Sequence, residues 1–514
     1  MDRTISTGML FTDQYQLSMA QLYFKHGLHT RQVQFDYFFR NYPDYGSHQA
    51  GYCVSAGLGT LLEWMDGLRF TEADLDCLRS QTSPDGRQMF REDFLHWLKN
   101  DGHFGSVSIQ AIPEGRIIHP GIPLAILRGD FAMLQILETP FLNTLNHQTL
   151  IATKASRMVE ASKGQPILEF GLRRAQGLSG NNGVRGALIG GVSGTSNIGM
   201  AHTLGLQAKG TLAHSLIQAF IALGEGELGA FRAYADLYPD NCLLLIDTVN
   251  ALESGLPNAI KVFEELKKKG YRPVGIRLDS GDLAYLSMKC ARELDRAGFP
   301  ETCIVLSNQL DEIMIWQILS QITEEAGHWG LDADKLIKRL VFGVGTALIT
   351  SGGHSALDGV YKLAAIQEGD KWIPAIKISE SPRKTLNPGA KKVWRLYGKC
   401  GRANVDLIGL ETEQPAQEQT ILLRHPLEAQ IQRTLKKNLI SDMEELLQPI
   451  LVQGRQVYTT PPLEEINRVR KKDLDRLDTG VKRLVNPHIY HVSLTESLWE
   501  LKKEMTRART GKEN

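Results

Sequence analysis

One histidine stands where this 514-residue chain could do chemistry. His214 ends the run Lys209-Gly210-Thr211-Leu212-Ala213-His214, and an apolar stretch with Leu216, Ile217, Phe220 and Ile221 at helical spacing follows it. A lone histidine at a helix start ordinarily only satisfies hydrogen bonds there. The residues that follow other short apolar runs give this one company. Glu169, Phe170, Arg173 and Arg174 follow the first run, Ser193-Gly194-Thr195-Ser196-Asn197 the second, and Thr211 with His214 the third. Asp247-Thr248 follows the next, and then come Arg277-Leu278-Asp279-Ser280-Gly281-Asp282, Ser307-Asn308 and Gly343-Val344-Gly345-Thr346.

Each group has an ordinary explanation. Arginine pairs are usually solvated, Asp247 and Asp279 could be helix N-caps, and a single Gly-x-Gly mostly marks a turn. Those explanations do not account for all of them falling at one end of one sheet. Together they describe a cavity for a phosphorylated, anionic substrate. Glycine-lined N–H groups bind phosphate, and arginines form bidentate pairs with carboxylate or phosphate. Asp247, Asp279 and Asp282 could hold magnesium through water and balance a cationic transition state. Phe170 and Tyr15 offer faces to sandwich an aromatic ring.

The elements that must position these groups follow from pattern. Residues 12–15 (Thr-Asp-Gln-Tyr) open a helix with Thr12 as N-cap and Tyr15 in its first turn. Runs at 33–39, 107–112 and 124–128 read as strands, 58–68 as a helix, and 133–159 as one or two long helices. From 166 the pattern alternates. Short apolar strands at 166–170, near 192, and at 207–210, 243–246, 274–278, 303–306 and 341–344 are separated by helices such as 257–269 and 282–297. Such alternation implies a parallel sheet, and polar residues after almost every strand favour a closed barrel over an open doubly wound sheet. Strands at 361–366, 372–378, 392–397 and 405–410 return to extend the first domain's sheet. The expected division is an N-terminal α+β domain (1–135), an α/β-barrel catalytic domain (136–358), returning strands (359–425) and a charged helical segment (426–514), whose residues 505–514 read as a disordered tail.

Composition bounds the function. Lys plus Arg and Asp plus Glu number 58 each, so nothing draws the chain globally to nucleic acid or an acidic membrane. Six cysteines lie far apart with no Cys-x-x-Cys pair, which argues for a reducing compartment and against a cysteine zinc site. No apolar run approaches the roughly 20 residues a membrane helix needs, and residues 1–10 lack a signal pattern. The expectation is a cytoplasmic enzyme.

Five motifs in order make the chain resemble nicotinate phosphoribosyltransferases from residue 12 to about 410. They are Thr-Asp-Gln-Tyr-Gln at 12–16, Gly-Leu-Arg-Arg-Ala-Gln-Gly at 171–177, Gly-Thr-Leu-Ala-His-Ser at 210–215, Arg-Leu-Asp-Ser-Gly-Asp at 277–282 and Gly-Val-Gly-Thr at 343–346. The resemblance implies an irregular (β/α) barrel of the type II phosphoribosyltransferase kind, with a smaller α+β sandwich domain built from N-terminal and C-terminal segments. It also implies that nicotinate is joined to 5-phosphoribosyl 1-diphosphate, giving nicotinate mononucleotide and pyrophosphate in NAD salvage. It implies further that ATP is a co-substrate and Mg2+ the cofactor, and that the protein is a homodimer with shared active sites, to which the second subunit supplies Tyr15.

On that resemblance His214 is transiently phosphorylated by ATP, with Asp247 or Glu169 as the residue that orients its ring. Tyr15, Phe170, Ser196, Thr211 and Arg277 hold nicotinate. Arg173, Ser307, Asn308, Gly343, Gly345 and Thr346 hold the phosphoribosyl diphosphate. Asp279 stabilises the oxocarbenium-like state, and Asp247 and Asp279 bind the metal. Nicotinamide-using relatives carry an acidic residue where this chain has Ser196, and a carboxylate there would repel nicotinate's own. The acid is therefore the expected acceptor, with a nicotinamide-using enzyme as the nearest rival. Quinolinate as acceptor does not fit the His214 motif. An unrelated phosphate-binding barrel, such as an aldolase or isomerase, would want a Schiff-base lysine, and only Lys209 offers itself. A non-catalytic scaffold would have no use for His214, Arg277 and Asp279, and all three are present.

Overall fold

The structure is a computed structural model and describes residues 3–378 and 385–510. Strands are numbered along the chain. The first five are β1 (Gln32–Phe39), β2 (Cys53–Val54), β3 (Ser108–Ala111), β4 (Ile117–Ile118) and β5 (Ala125–Asp130). The next six are β6 (Ile167–Glu169), β7 (Gly194–Thr195), β8 (Leu243–Leu245), β9 (Gly275–Leu278), β10 (Cys303–Ser307) and β11 (Leu340–Val344). Then come β12 (Gly359–Glu368), β13 (Lys371–Pro374), β14 (Lys391–Gly398), β15 (Ala403–Leu410), β16 (Thr420–Arg424), β17 (Gln432–Lys436), β18 (Ile440–Glu445), β19 (Gln448–Val452), β20 (Arg455–Gln456) and β21 (His491–Leu494). The chain forms two compact units, Ile151–Ser355 and the pair Met1–Leu150 with Ala356–Asn514.

The middle unit is an α/β layer around one parallel sheet, ordered β7-β6-β11-β10-β9-β8. Its strands are short and apolar because both faces are covered; β8 is buried throughout, and β9 and β10 are buried at all but one position each. The helices between them carry apolar residues three and four apart, as in Leu256–Lys268, which buries Ala259, Val262, Phe263 and Leu266. Asp282 caps helix Leu283–Arg296 by accepting from Tyr285 N at 3.0 Å, and Asp311 caps helix Glu312–Glu325.

The sheet curls into a half-barrel and does not close. Two expected strands account for the gap. The run ending near 192 is helix Ser179–Ile189, and the strand after it is only the two residues of β7. Residues 207–210 are exposed and join β7 through one backbone bond, Lys209 N to Thr195 O at 2.8 Å, which is too little to make a ladder.

The other unit holds a seven-stranded sheet, β13-β12-β1-β5-β3-β19-β20. β12 and β13 return to β1 as expected, whereas β14 and β15 enter a separate six-stranded sheet, β17-β16-β21-β15-β14-β18. Within the segment 426–514, expected to be helical, residues 435–478 are a correction. β17 to β20 run through the first half of that stretch, and helix Leu463–Asp475 is its one long helix among the described residues. Its charge misled because β18 is half-exposed, so polar residues fill a strand face. Residues 505–510, expected to be disordered, end helix Glu496–Thr510, while 511–514 lie outside the described residues. Residues 133–159 form a single helix, Phe131–Ala161. The N-cap of helix Gln14–Lys25 is Asp13; Thr12 instead donates to the Ile136 carbonyl at 2.9 Å.

This unit also contains a cavity of about 440 Å³ lined by Arg40, Lys362, Lys391 and Lys502, with Asp36 as a carboxylate. Asp36 is paired with Lys391 at 2.9 Å. Lys502 donates to Asn387 Oδ1 at 3.0 Å and to the Pro426 carbonyl at 3.2 Å, and burial pushes its ammonium down to about 8. No helix among the described residues is long and apolar enough to cross a membrane.

Candidate active site

In a parallel sheet every strand delivers its C-terminal residue to the same edge. That edge holds the polar groups of the middle unit. Arg277, on β9, is the hub. Its Nε donates to Ser307 Oγ at 3.0 Å, one terminal nitrogen to Thr211 Oγ1 at 3.2 Å, and the other to Asp279 Oδ2 at 3.2 Å. The guanidinium carbon lies 5.7 Å from the centre of the Phe170 ring. A largely buried guanidinium fixed on three sides keeps its shape when a ligand arrives.

Asp279 is equally constrained. Ser307 Oγ donates to its Oδ1 at 2.7 Å, and its own N–H donates to Asp247 Oδ2 at 2.8 Å. Asp247 Oδ2 also accepts from Ser280 Oγ at 2.6 Å, while its Oδ1 is buried with no hydrogen-bond partner among the described residues. Neither Asp247 nor Asp279 is a helix N-cap; Asp282 takes that role and is spent on it.

His214 begins helix His214–Ala222 with its side chain 41% exposed. Its Nδ1 is 3.0 Å from Thr248 Oγ1, and its Nε2 is 3.9 Å from Asp279 Oδ2. This corrects the expectation that Asp247 or Glu169 orients the ring. Asp247 is turned back to β9, and Glu169 is buried elsewhere. Glu169 Oε2 accepts from Thr195 Oγ1 at 2.6 Å and its Oε1 from the Gly171 N–H. Burial pushes the Glu169 carboxyl up, and those two bonds oppose the shift. The carboxylate thus braces the ends of β6 and β7, between which Phe170 and Ser196 emerge.

Gly343 on β11 makes room for Phe170. A Cβ there would lie 2.6 Å from two carbons of the ring. Ser196 is half-buried, with its N–H bonded to the Glu169 carbonyl at 3.0 Å. Arg173 is exposed in the turn Leu172–Arg174 after β6, and Thr346 is exposed after Gly345 at the end of β11. Asn308 and Gln309, after β10, both hold positive φ, 101° and 48°. Two successive non-glycine residues in that region cost on the order of 1–3 kcal/mol each and persist only where the surroundings impose them. Tyr15 belongs to the other unit, where it lies in the first turn of helix Gln14–Lys25 with its ring half-exposed.

Sequence reasoning placed Thr248 and Ser280 at strand ends but gave neither a role. Both are hydroxyls beside a carboxylate at a strand end, and that adjacency was the available signal. The chemistry of the edge is that of a polyanion seat: a fixed guanidinium, serine and threonine hydroxyls, a nucleophilic imidazole and two carboxylates.

Comparison with known proteins agrees with this. A model described as the nicotinate phosphoribosyltransferase (NAPRTase) family matches residues 166–404, and models of that enzyme's N-terminal and C-terminal domains match 10–146 and 390–502. Nicotinate phosphoribosyltransferase of Bacillus subtilis (strain 168) is 36% identical over 497 residues, covering 96% of this chain and 94% of that protein. The Homo sapiens nicotinate phosphoribosyltransferase is 32% identical over 544 residues, covering 96% and 95%. The crystal structure of human nicotinic acid phosphoribosyltransferase matches with a TM-score of 0.79 at 29% identity, over 96% of this chain and 99% of that one. These likenesses span both units, cover the residues of the strand-end motifs and share the expected fold class. The chain is an enzyme that belongs to the nicotinate phosphoribosyltransferase family.

Proposed function

We propose that the protein joins nicotinate to 5-phosphoribosyl 1-diphosphate, releasing pyrophosphate and nicotinate mononucleotide for NAD salvage, with ATP hydrolysis coupled through His214. The observation that carries this reading is the bonded set Arg277–Thr211–Ser307–Asp279 with His214 beside it. Arg277 pairs with the nicotinate carboxylate and Thr211 adds a hydroxyl, while Phe170 takes one face of the pyridine. Half-buried, uncharged Ser196 leaves the substrate's negative charge unopposed. Arg173, Ser307, Asn308, Gly343, Gly345 and Thr346 hold the sugar and its phosphates.

In the transfer, the bond from the anomeric carbon to diphosphate breaks and its electron pair leaves with pyrophosphate. The pyridine nitrogen lone pair forms the new bond. Positive charge peaks at the sugar in between, and the Asp279 carboxylate stabilises it there. In the coupled half-cycle a ring nitrogen of His214 attacks the terminal phosphorus of ATP, and the phosphorus–oxygen bond to ADP breaks. Water later discharges the phosphoryl group as phosphate and the electron pair returns to the ring.

Asp247 has the features that fit a magnesium partner, since its Oδ1 is buried without a hydrogen-bond partner among the described residues. Asp279 has both oxygens engaged and would act through water. Among the described residues no cluster of three or more His, Cys, Asp or Glu side chains forms a metal cage, as suits an ion that arrives largely ligated by substrate oxygens. Bound there, magnesium would neutralise charge on the departing diphosphate. The active form in this reading is a cytoplasmic homodimer, in which Tyr15 of the partner subunit covers the pyridine.

The test is mononucleotide formation from 5-phosphoribosyl 1-diphosphate and magnesium, with nicotinate and nicotinamide run in parallel, each with and without ATP. Product from nicotinate, raised by ATP, is expected. Product mainly from nicotinamide would overturn the Ser196 argument, and no product from either would overturn the assignment.

A further inference from the structure

We propose that Thr248 is the positioning residue for His214, its hydroxyl fixing the rotation of the imidazole; this rests on the reading of His214 as the phosphoryl carrier. A side chain 41% exposed is poorly held by packing, and an imidazole turns readily about its outer torsion. Among the described residues the ring has one partner at hydrogen-bonding distance, Thr248 Oγ1 at 3.0 Å from Nδ1. Asp279 Oδ2, 3.9 Å from Nε2, is beyond that distance. Thr248 therefore decides which edge of the ring faces Asp279.

The loop that carries this hydroxyl is held firmly. The backbone stays paired past β8, with Ile246 N–H bonded to the Arg277 carbonyl at 3.1 Å. Asp247 next to it ties to Asp279 N and Ser280 Oγ. Two residues on, the Asn250 side chain accepts from Leu252 N at 3.0 Å and Glu253 N at 2.9 Å, opening the π-turn Ala251–Gly255. That turn packs back so closely that a Cβ on Gly255 would overlap the Ile246 carbonyl oxygen. Thr248 thus sits in a loop fixed on both sides, and its β-branch restricts χ1.

A hydroxyl suits the task better than the carboxylate that sequence reasoning sought. It donates or accepts, so it can bond Nδ1 in either tautomer of the ring. The bond can then persist while the proton inventory of His214 changes through the cycle.

The test compares Thr248→Val, which keeps the shape, with Thr248→Ser, which keeps the hydroxyl. Loss of one hydrogen bond that orients a reacting group should lower the ratio of ATP-stimulated to unstimulated turnover roughly tenfold in T248V. Formation of acid-labile phosphoryl protein from γ-labelled ATP should slow in parallel, and T248S should recover both to within about threefold. The ring itself is read by imidazole ¹⁵N NMR, with His214 assigned from H214A: T248V should move Nδ1 and T248S should not. Full ATP stimulation in T248V, or T248S as impaired as T248V, overturns the proposal. If the wild-type protein takes up no acid-labile phosphoryl group, the carrier reading of His214 fails. The NMR comparison still decides Thr248, and an unmoved Nδ1 in T248V rejects it.

Discussion

Replacing Gly343 by alanine perturbs the acceptor pocket through a single contact. Gly343 lies inside β11, paired with Ser307 on β10 and Leu168 on β6, so the backbone cannot withdraw without breaking two ladders. The added Cβ would stand 2.6 Å from Cδ2 and Cε2 of Phe170 and 3.5 Å from Ser307 Cβ. Carbon atoms rest at about 3.5–4.0 Å, so the ring must retreat by about 1 Å. Phe170 is anchored by its N–H to the Val344 carbonyl at 2.8 Å, so the ring must swing instead, away from its place beside the Arg277 guanidinium. Overpacking of this kind costs about 1–3 kcal/mol of stability, and at about 2–4 °C per kcal/mol Tm should fall by several degrees. Misplacement by 1 Å can cost up to about 100-fold in rate, and here it falls on the ring-binding face, so KM for nicotinate should rise about tenfold or more. Initial rates with nicotinate varied at saturating co-substrates, together with thermal unfolding, measure both effects. G343A with unchanged KM and Tm would refute the claim that this glycine exists to admit Phe170. A second check is G343A combined with Phe170→Leu, which should regain Tm relative to G343A alone.

His214→Ala should abolish ATP stimulation and phosphoryl incorporation while leaving weak mononucleotide formation; full stimulation in that variant would remove the phosphohistidine role. Ser196→Asp should raise KM for nicotinate by roughly 10- to 100-fold, as a carboxylate facing a carboxylate costs on the order of 1–3 kcal/mol, and should shift preference toward nicotinamide. Lys502 is held at about 8 against an ordinary 10.5, so its buried charge destabilises the fold below pH 8, and that cost fades as pH rises from about 8 to 10.5. Lys502→Met should therefore gain up to about 3 kcal/mol at pH 7, less the two lost hydrogen bonds, and the gain should shrink by pH 10; urea unfolding at both pH values checks this, and a pH-independent difference would contradict it.

Secondary structure was legible where burial is strong and regular. β9, β10 and β11 are buried almost throughout, and the strands expected at 274–278, 303–306 and 341–344 lie on them. Reading failed where burial is one-sided. Residues 207–210, Gln-Ala-Lys-Gly, carry no β-branched or aromatic residue and are exposed, and β7 offers them a single bond. The charged residues at 440–445 suggested a helix, whereas they line the half-exposed strand β18.

The sequence alone determined which residues arrive at one edge. Parallel alternation sends every strand's C-terminal end the same way, so Arg277, Asp279, Ser307 and Gly343 had to gather at that edge. It also fixed the chemical types there: guanidinium, hydroxyl, carboxylate and imidazole. Which of them touch was decided only by tertiary structure. Asp247 and Glu169 both stand at strand ends and both carry a carboxylate, yet one bonds back to Asp279 N and the other to Thr195 and Gly171. The imidazole was left to Thr248. Strand order places residues to within a few ångströms, but a hydrogen bond is set to tenths of one, and that last step depends on packing between segments distant in sequence.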